Sequence, residues 1–304
     1  MKISKRTASN LLLVLTAFIW GTAFIAQKRG VDVLKPCTFN GLRTMMGCIA
    51  LLPLIFIRAA GDRRQGIQNP KNTKALVTGG IICGILLCSA GTAQTYGLVD
   101  ADAGKAGFIT ALYIILVPII GIFIGKKIKP VVVVSVLIAL AGLYLLCVSG
   151  SSGFSLNSGD KMLFLCAFLF SLHILAIDYF SPKVDGVKLS CIQFFVSASI
   201  NIAYMVLVDK PAVSDILSCW FPIFYAGVMS CAVAYTLQIV AQKNTDPTVA
   251  SIIMSLESLF ALLAGIAFGE QPTARELSGC ALMLAAIMLV QLPEKKLKKV
   301  NCVG

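Results

Sequence analysis

Ten stretches of about twenty residues, each nearly free of charge, follow one another along this chain, and few folds accept that pattern. They cover 10–27, 38–57, 75–98, 104–125, 130–149, 161–180, 189–208, 218–241, 247–268 and 274–292. A helix rising about 1.5 Å per residue crosses the ~30 Å hydrocarbon core of a bilayer in about twenty residues, with its backbone polar groups satisfied internally. In water the same chain would lack polar surface: 58% of its 304 residues are hydrophobic and 13% are charged. Soluble domains run at roughly 45–50% apolar and about 25% charged. The chain reads as an all-α polytopic membrane protein with ten transmembrane helices. The third and eighth stretches fit least well, each carrying Gln, Thr and Gly.

The net charge of +12 does not point to nucleic acid. The cations fall in short clusters between apolar runs ("MKISKR", "RAAGDRR", "GKKIK", "EKKLKK"), which is how a polytopic protein fixes its orientation. With both termini cytoplasmic, 18 of the 26 lysines and arginines lie inside and 7 outside; "QKRGVDVLK" is the basic exception placed outside. That bias supports an even number of spans and a basic cytoplasmic tail over 293–304. The first apolar run follows Lys2, Lys5 and Arg6 like a leader, but Trp20 interrupts it and no A-x-A site follows, so it reads as an uncleaved span. The longest connection, about 58–74, reads as a hydrated cytoplasmic loop.

Most of the 11 cysteines lie within apolar runs, no C-x-x-C pair occurs, and His173 is the one histidine. Neither a zinc site nor a redox dithiol has its spacing, so no metal and no cofactor is expected. The Walker pattern, H-E-x-x-H and G-x-S-x-G are all absent, which argues against an ATP-driven pump and against an enzyme. Energy would come from an ion gradient or from the solute's own gradient.

The chain echoes itself. A shift of 144 residues aligns "AGFITALYIILVPIIGIFIGK" (106–126) with "ASIIMSLESLFALLAGIAFGE" (250–270), 6 of 21 positions being identical, and pairs Gln94 with Gln238. A shift of 150 pairs "AFIWG" (17–21) with "AFLFS" (167–171), and Arg43 with Gln193. Two halves follow, 10–149 and 161–292, with five spans each. Five is odd, so the second copy enters the membrane the other way up. Inverted repeats support inward-open and outward-open states around a site near the midplane.

The segments "LTAFIWGTAFIAQKRG", "FNGLRTMMG", "AGKAGFITALYIILVPIIGIFIG" and "TVASIIMSLESLFALLAGIAFGE" resemble the EamA family of the drug/metabolite transporter superfamily over about 10–292. The resemblance implies ten helices in two inverted five-helix repeats around a central cavity. It further implies movement of small metabolites, amino acids and related compounds among them, often by export. Two positions depart from the family's pattern. Ser258 stands where Pro often follows the acid matching Glu257, which removes an expected kink in the ninth helix; Lys126 stands where the fourth span often ends in an acid.

Ionised groups inside a bilayer cost about 2.5–3.5 kcal/mol even on the lenient insertion scale, so they mark candidate sites. Glu257 has only apolar neighbours one turn away: Ile253, Met254, Phe260 and Ala261. Either it lines a cavity, binding a substrate cation or carrying a coupling proton, or it is paired with Arg43 or hydrogen-bonded across helices. Arg43 either clamps a substrate carboxylate, snorkels to the surface, or pairs with protein, with Asn40 on the same face. Mid-span Trp20 is a cavity wall or a packed helix contact, and Tyr113, at the repeat position of Glu257, is a candidate cavity-facing hydroxyl. Gln94 and Gln238 offer amides to substrate or to a neighbouring helix. His173 is a buried core histidine or a second proton carrier. The glycine pairs 80/84, 121/125 and 265/269 read as packing seams.

The leading function is a secondary transporter of small organic solutes in a bacterial inner membrane, monomeric or homodimeric, with protons as a coupling ion. A flippase for a lipid-linked sugar or other amphiphile is the alternative, and an intramembrane enzyme a minor one.

Overall fold

The structure is a computed structural model that describes residues 4–64, 72–100, 103–126, 128–147, 158–267 and 272–291. Among them it is all helix. The first half holds α1 (Lys5–Val31), α2 (Pro36–Arg64), α3 (Thr73–Asp100), α4 (Ala103–Ala111), α5 (Tyr113–Phe123) and α6 (Pro130–Cys147). The second holds α7 (Ser158–Phe180), α8 (Gly186–Tyr204), α9 (Val213–Ser218) and α10 (Trp220–Tyr225). A π-helical stretch (Ala226–Tyr235) joins α10 to α11 (Thr236–Gln242), and α12 (Pro247–Met254), α13 (Glu257–Ala267) and α14 (Ala274–Gln291) complete it.

Local sequence starts these helices. Ser4 Oγ accepts the Thr7 N–H at 3.1 Å, Asp185 the Lys188 N–H at 2.9 Å, and Asp246 the Thr248 N–H at 2.9 Å. Thr273 and Glu276 cap one another's backbone at the start of α14. Gly125, at φ +81°, ends α5: Lys126 N–H turns back to the Gly121 carbonyl at 2.9 Å. Gly121 and Gly125 thus belong to a helix terminus rather than a packing seam, and a Cβ on Gly125 would meet nothing within 4 Å. Gly269 lies outside the described residues, as does the basic tail.

By length and hydropathy, 8 helices or helix pairs among the described residues can cross a membrane. The fifth and tenth expected stretches are occupied by α6 and α14, of 18 residues each. Two expected spans are interrupted. The fourth breaks at Leu112, between α4 and α5, and the ninth at Ser255–Leu256, between α12 and α13. The ninth span, where Ser258 was expected to remove a kink, is interrupted without proline. Ser251 and Ser255 hydroxyls bond back to the Thr248 and Ile252 carbonyls at 2.8 Å, and Leu256 N–H reaches only to Ile253 O at 3.2 Å. Hydroxyls bonded into the previous turn bend helices in this way. Leu112 N–H makes the same short reach to Ile109 O.

α3 packs between α7 and α8, and α2 lies on α8. α1 lies against the 220–242 run and against α12 and α13, while α4 and α5 lie on α7, and α6 and α14 pair off. The seam expected at Gly80 and Gly84 is real: a Cβ on Gly84 would fall 2.7 Å from the Val196 side chain and 2.8 Å from the Gln193 carbonyl. Gly84→Ala is therefore expected to destabilise the protein by about 1–3 kcal/mol. Gly61→Ala, whose Cβ meets nothing within 4 Å, should leave thermal unfolding in detergent unchanged. Facing outward are large apolar side chains such as Phe56, Phe123, Leu207 and Met288.

Candidate functional site

The helices enclose a central cavity. α1 presents Trp20, Phe24 and Gln27 to it, spaced as one helical face, and α2 presents Arg43. Gln94, Thr110 and Tyr113 come from α3, α4 and α5. The second half contributes Phe170, His173 and Ile174 of α7, Ser230 and Tyr235 of the π-helical stretch, and Gln238, Met254 and Glu257. Nearly all are buried, so the cavity is mostly walled off.

Seven of the eight residues singled out from sequence meet at this cavity: Trp20, Arg43, Gln94, Tyr113, His173, Gln238 and Glu257. Asn40 does not. Its amide donates to Thr95 Oγ1 at 2.8 Å, tying α2 to α3. Sequence reasoning missed Gln27, Thr110, Ser230 and Tyr235, and also Phe170, although the 150-residue shift places Phe170 opposite Trp20.

Glu257 is the first residue of α13, at the helix break. A carboxylate there sees the positive end of the half-helix, which offsets part of the cost of its charge. Tyr113, the first residue of α5, donates its hydroxyl to Glu257 Oε1 at 3.2 Å. Gly21 lets α1 approach this break, since a Cβ would fall 2.5 Å from the Glu257 carbonyl.

Arg43 does not snorkel: it is 4% exposed. Its Nη1 donates to Gln27 Oε1 at 2.9 Å, its guanidinium carbon lies 5.8 Å from the Phe39 ring centroid, and its Nε has no protein partner. Gly91 makes room for it, a Cβ there lying 3.3 Å from Nη2. Among the described residues no ion pair joins Arg43 to Glu257. The cavity therefore holds an acid and a guanidinium, each bonded to a neutral neighbour. The pairing of these two charges, one of the structural readings open at the sequence level, is not made.

His173 Nε2 lies 3.1 Å from Gln193 Oε1, and its buried Nδ1 has no protein partner. Thr110 Oγ1 and Gln238 Oε1 are likewise unpartnered. Aromatic rings complete the wall: Trp20 and Tyr235 pack tilted at 57° with centroids 4.7 Å apart, and Trp20 Nε1 donates to the Ser230 carbonyl at 3.4 Å. Asp178, on α7, is bound by Lys126 at 2.5 Å. Among the described residues, no group of three His, Cys, Asp or Glu side chains gathers as a metal site.

An apolar exterior around an internal cavity that holds an acid and a guanidinium defines the class, a multi-pass membrane protein. The EamA-like transporter family matches the chain twice, over residues 7–148 and 157–292, and the chain belongs to that family. An uncharacterized transporter of Archaeoglobus fulgidus is 32% identical over 293 residues, covering 95% of this chain and 87% of its own. A WAT1-related chloroplastic protein of Arabidopsis thaliana is 24% identical over 93% of this chain and 69% of its own. A solved crystal structure shares the fold, with a TM-score of 0.74 at 19% identity over 96% of this chain and 99% of the other.

Proposed function

We propose that this membrane transporter is a secondary carrier that exports small organic metabolites by alternating access, with ten spans in two inverted five-helix repeats. The observation that carries the reading is Glu257 and Arg43, both buried at one cavity and not paired with each other. Such groups are retained inside a membrane for a ligand or an ion. An acid and a guanidinium at one cavity suit a solute with both an ammonium and a carboxylate, amino acids and their relatives among them.

Repeat symmetry supports the rest. Trp20 and Phe170, Phe24 and Ile174, Gln94 and Gln238, Thr110 and Met254, Tyr113 and Glu257 are repeat mates by the 150- and 144-residue shifts, and all line the cavity. The two helix breaks are mates as well, and interrupted spans in corresponding places point to a midplane site. Packing is unchanged in kind when the halves are exchanged: α3 on α7 corresponds to the 220–242 run on α1, and α2 on α8 maps onto itself. We place both termini in the cytoplasm of a bacterial cell, the membrane being the inner one, and protons as coupling ion through Glu257, with His173 a second candidate.

A thermal-shift screen of the purified protein against metabolites, repeated with Glu257→Gln and Arg43→Ala, tests the reading. The expected result is a stabilising solute whose shift disappears in both variants. A solute that stabilises all three proteins equally would place binding elsewhere.

A further inference from the structure

Cys48 and Cys191 face one another across the two halves of the molecule. Their sulfurs are 3.6 Å apart, and Cys191 Sγ lies 4.0 Å from the Cys48 carbonyl. Cys48 belongs to α2 and Cys191 to α8, the two helices that pack on each other between the halves. Their surroundings are apolar, with Leu51, Leu87, Val187 and Phe194. Other thiols are arranged differently: Cys37 lies against the Tyr96 hydroxyl at 4.0 Å, and Cys88 against the Asn201 amide at 3.1 Å. Among the described residues, no other sulfur–sulfur contact is found. A disulfide needs sulfurs about 2.05 Å apart, so bonding asks the pair to close by about 1.5 Å.

We infer that Cys48 and Cys191 form a two-thiol modification site, oxidised by a small peroxide to a disulfide that ties the first half of the chain to the second. The chemistry balances with hydrogen peroxide as oxidant. One sulfur attacks a peroxide oxygen, the O–O bond breaks, and one water leaves a sulfenic acid behind. The second sulfur then displaces that hydroxyl as a second water, and the S–S bond forms. Two S–H bonds are lost, and their two electrons reduce the peroxide. Hydrogen peroxide is small and uncharged enough to reach a site within the membrane, and Cys191 is only partly buried. The mechanical consequence rests on the two-repeat reading proposed above: a bond between α2 and α8 holds the halves together where alternating access needs them to move.

The full-length protein in lipid vesicles is treated with hydrogen peroxide, its free thiols are blocked with N-ethylmaleimide, and its peptides are mapped by mass spectrometry. Most molecules are expected to carry a linked Cys48–Cys191 peptide that dithiothreitol releases. Cys48→Ser and Cys191→Ser should each abolish it, and Cys231→Ser, in the same apolar cluster, should leave it. Cys191→Ala serves if a serine variant does not fold. Both thiols alkylated after peroxide, or Cys231 as the linked partner, overturns the site. Amide hydrogen exchange on the same samples reads the consequence: the cross-link should slow exchange in α5 and α13, reversibly. A complete cross-link with unchanged exchange would overturn the two-repeat movement and leave the thiol site standing.

Discussion

Transport of the solute found by the screen is expected to fall by roughly ten- to a hundredfold when Glu257 becomes Gln. Hydrogen bonds to charged groups contribute about 1.5–3 kcal/mol, and about 1.4 kcal/mol is a factor of ten. The amide keeps the size of the acid and an oxygen for the Tyr113 hydroxyl, now 3.2 Å away, so folding should survive. Removing an ionisable group from a membrane interior also relieves a cost rather than adding one. The same substitution is expected to leave any residual transport indifferent to an imposed pH gradient, since the amide cannot take up a proton at neutral pH. Proteoliposome flux at two external pH values measures both effects. Wild-type flux and wild-type pH response in the variant would reduce Glu257 to a helix-to-helix hydrogen bond. Tyr113→Phe separates the two roles further: it should weaken binding about three- to tenfold, the effect of one neutral hydrogen bond, and keep the pH response.

The membrane class and the helices were legible because the requirement is simple: about twenty apolar residues per crossing. The cavity's charged residues were legible for a related reason, since Arg43 and Glu257 have nowhere stable to point except inward. Their partners were not. Gln27 and Tyr235 sit in apolar stretches with nothing to distinguish them from core residues, and only packing brings Gln27 to Arg43 at 2.9 Å. Asn40, one turn from Arg43, looks like part of the same polar stripe, yet Thr95 from α3 takes its amide. The breaks at Leu112 and Ser255–Leu256 escaped notice because sequence rules look for proline or glycine. Here the helix is interrupted by short i−3 backbone bonds, assisted in α12 by serine hydroxyls. The ten-residue π-helical stretch over Ala226–Tyr235 has no composition that announces it. Lys126 departs from the family's usual acid, and the structure supplies the acid from elsewhere, as Asp178 of α7.

Arg43→Met is expected to abolish solute binding while raising the unfolding temperature of the solute-free protein. A buried guanidinium that makes no ion pair among the described residues is a burden on the fold: its Nε is unpartnered, and Gln27 supplies a neutral acceptor. An uncompensated buried charge destabilises by several kcal/mol, and apolar side chains of similar volume in such places are often neutral or stabilising. Met matches the length of the Arg stem, and its flexible apolar side chain suits a cavity that Trp20 and Phe24 also line, with the Phe39 ring 5.8 Å from the guanidinium carbon. A residue held for structure behaves in the opposite way. If Arg43 anchored α2 to α1 through Gln27, the Met variant would unfold earlier, and Gln27→Ala would lower stability by a similar amount. Differential scanning fluorimetry of both variants, with and without solute, decides between these. Arg43→Lys adds a geometric control. Lysine keeps the charge but offers a single point rather than a fork, so binding of a carboxylate solute should stay well below wild type. Recovery of full affinity in the lysine variant would mean that charge alone, and not paired hydrogen bonds from a planar group, recognises the solute.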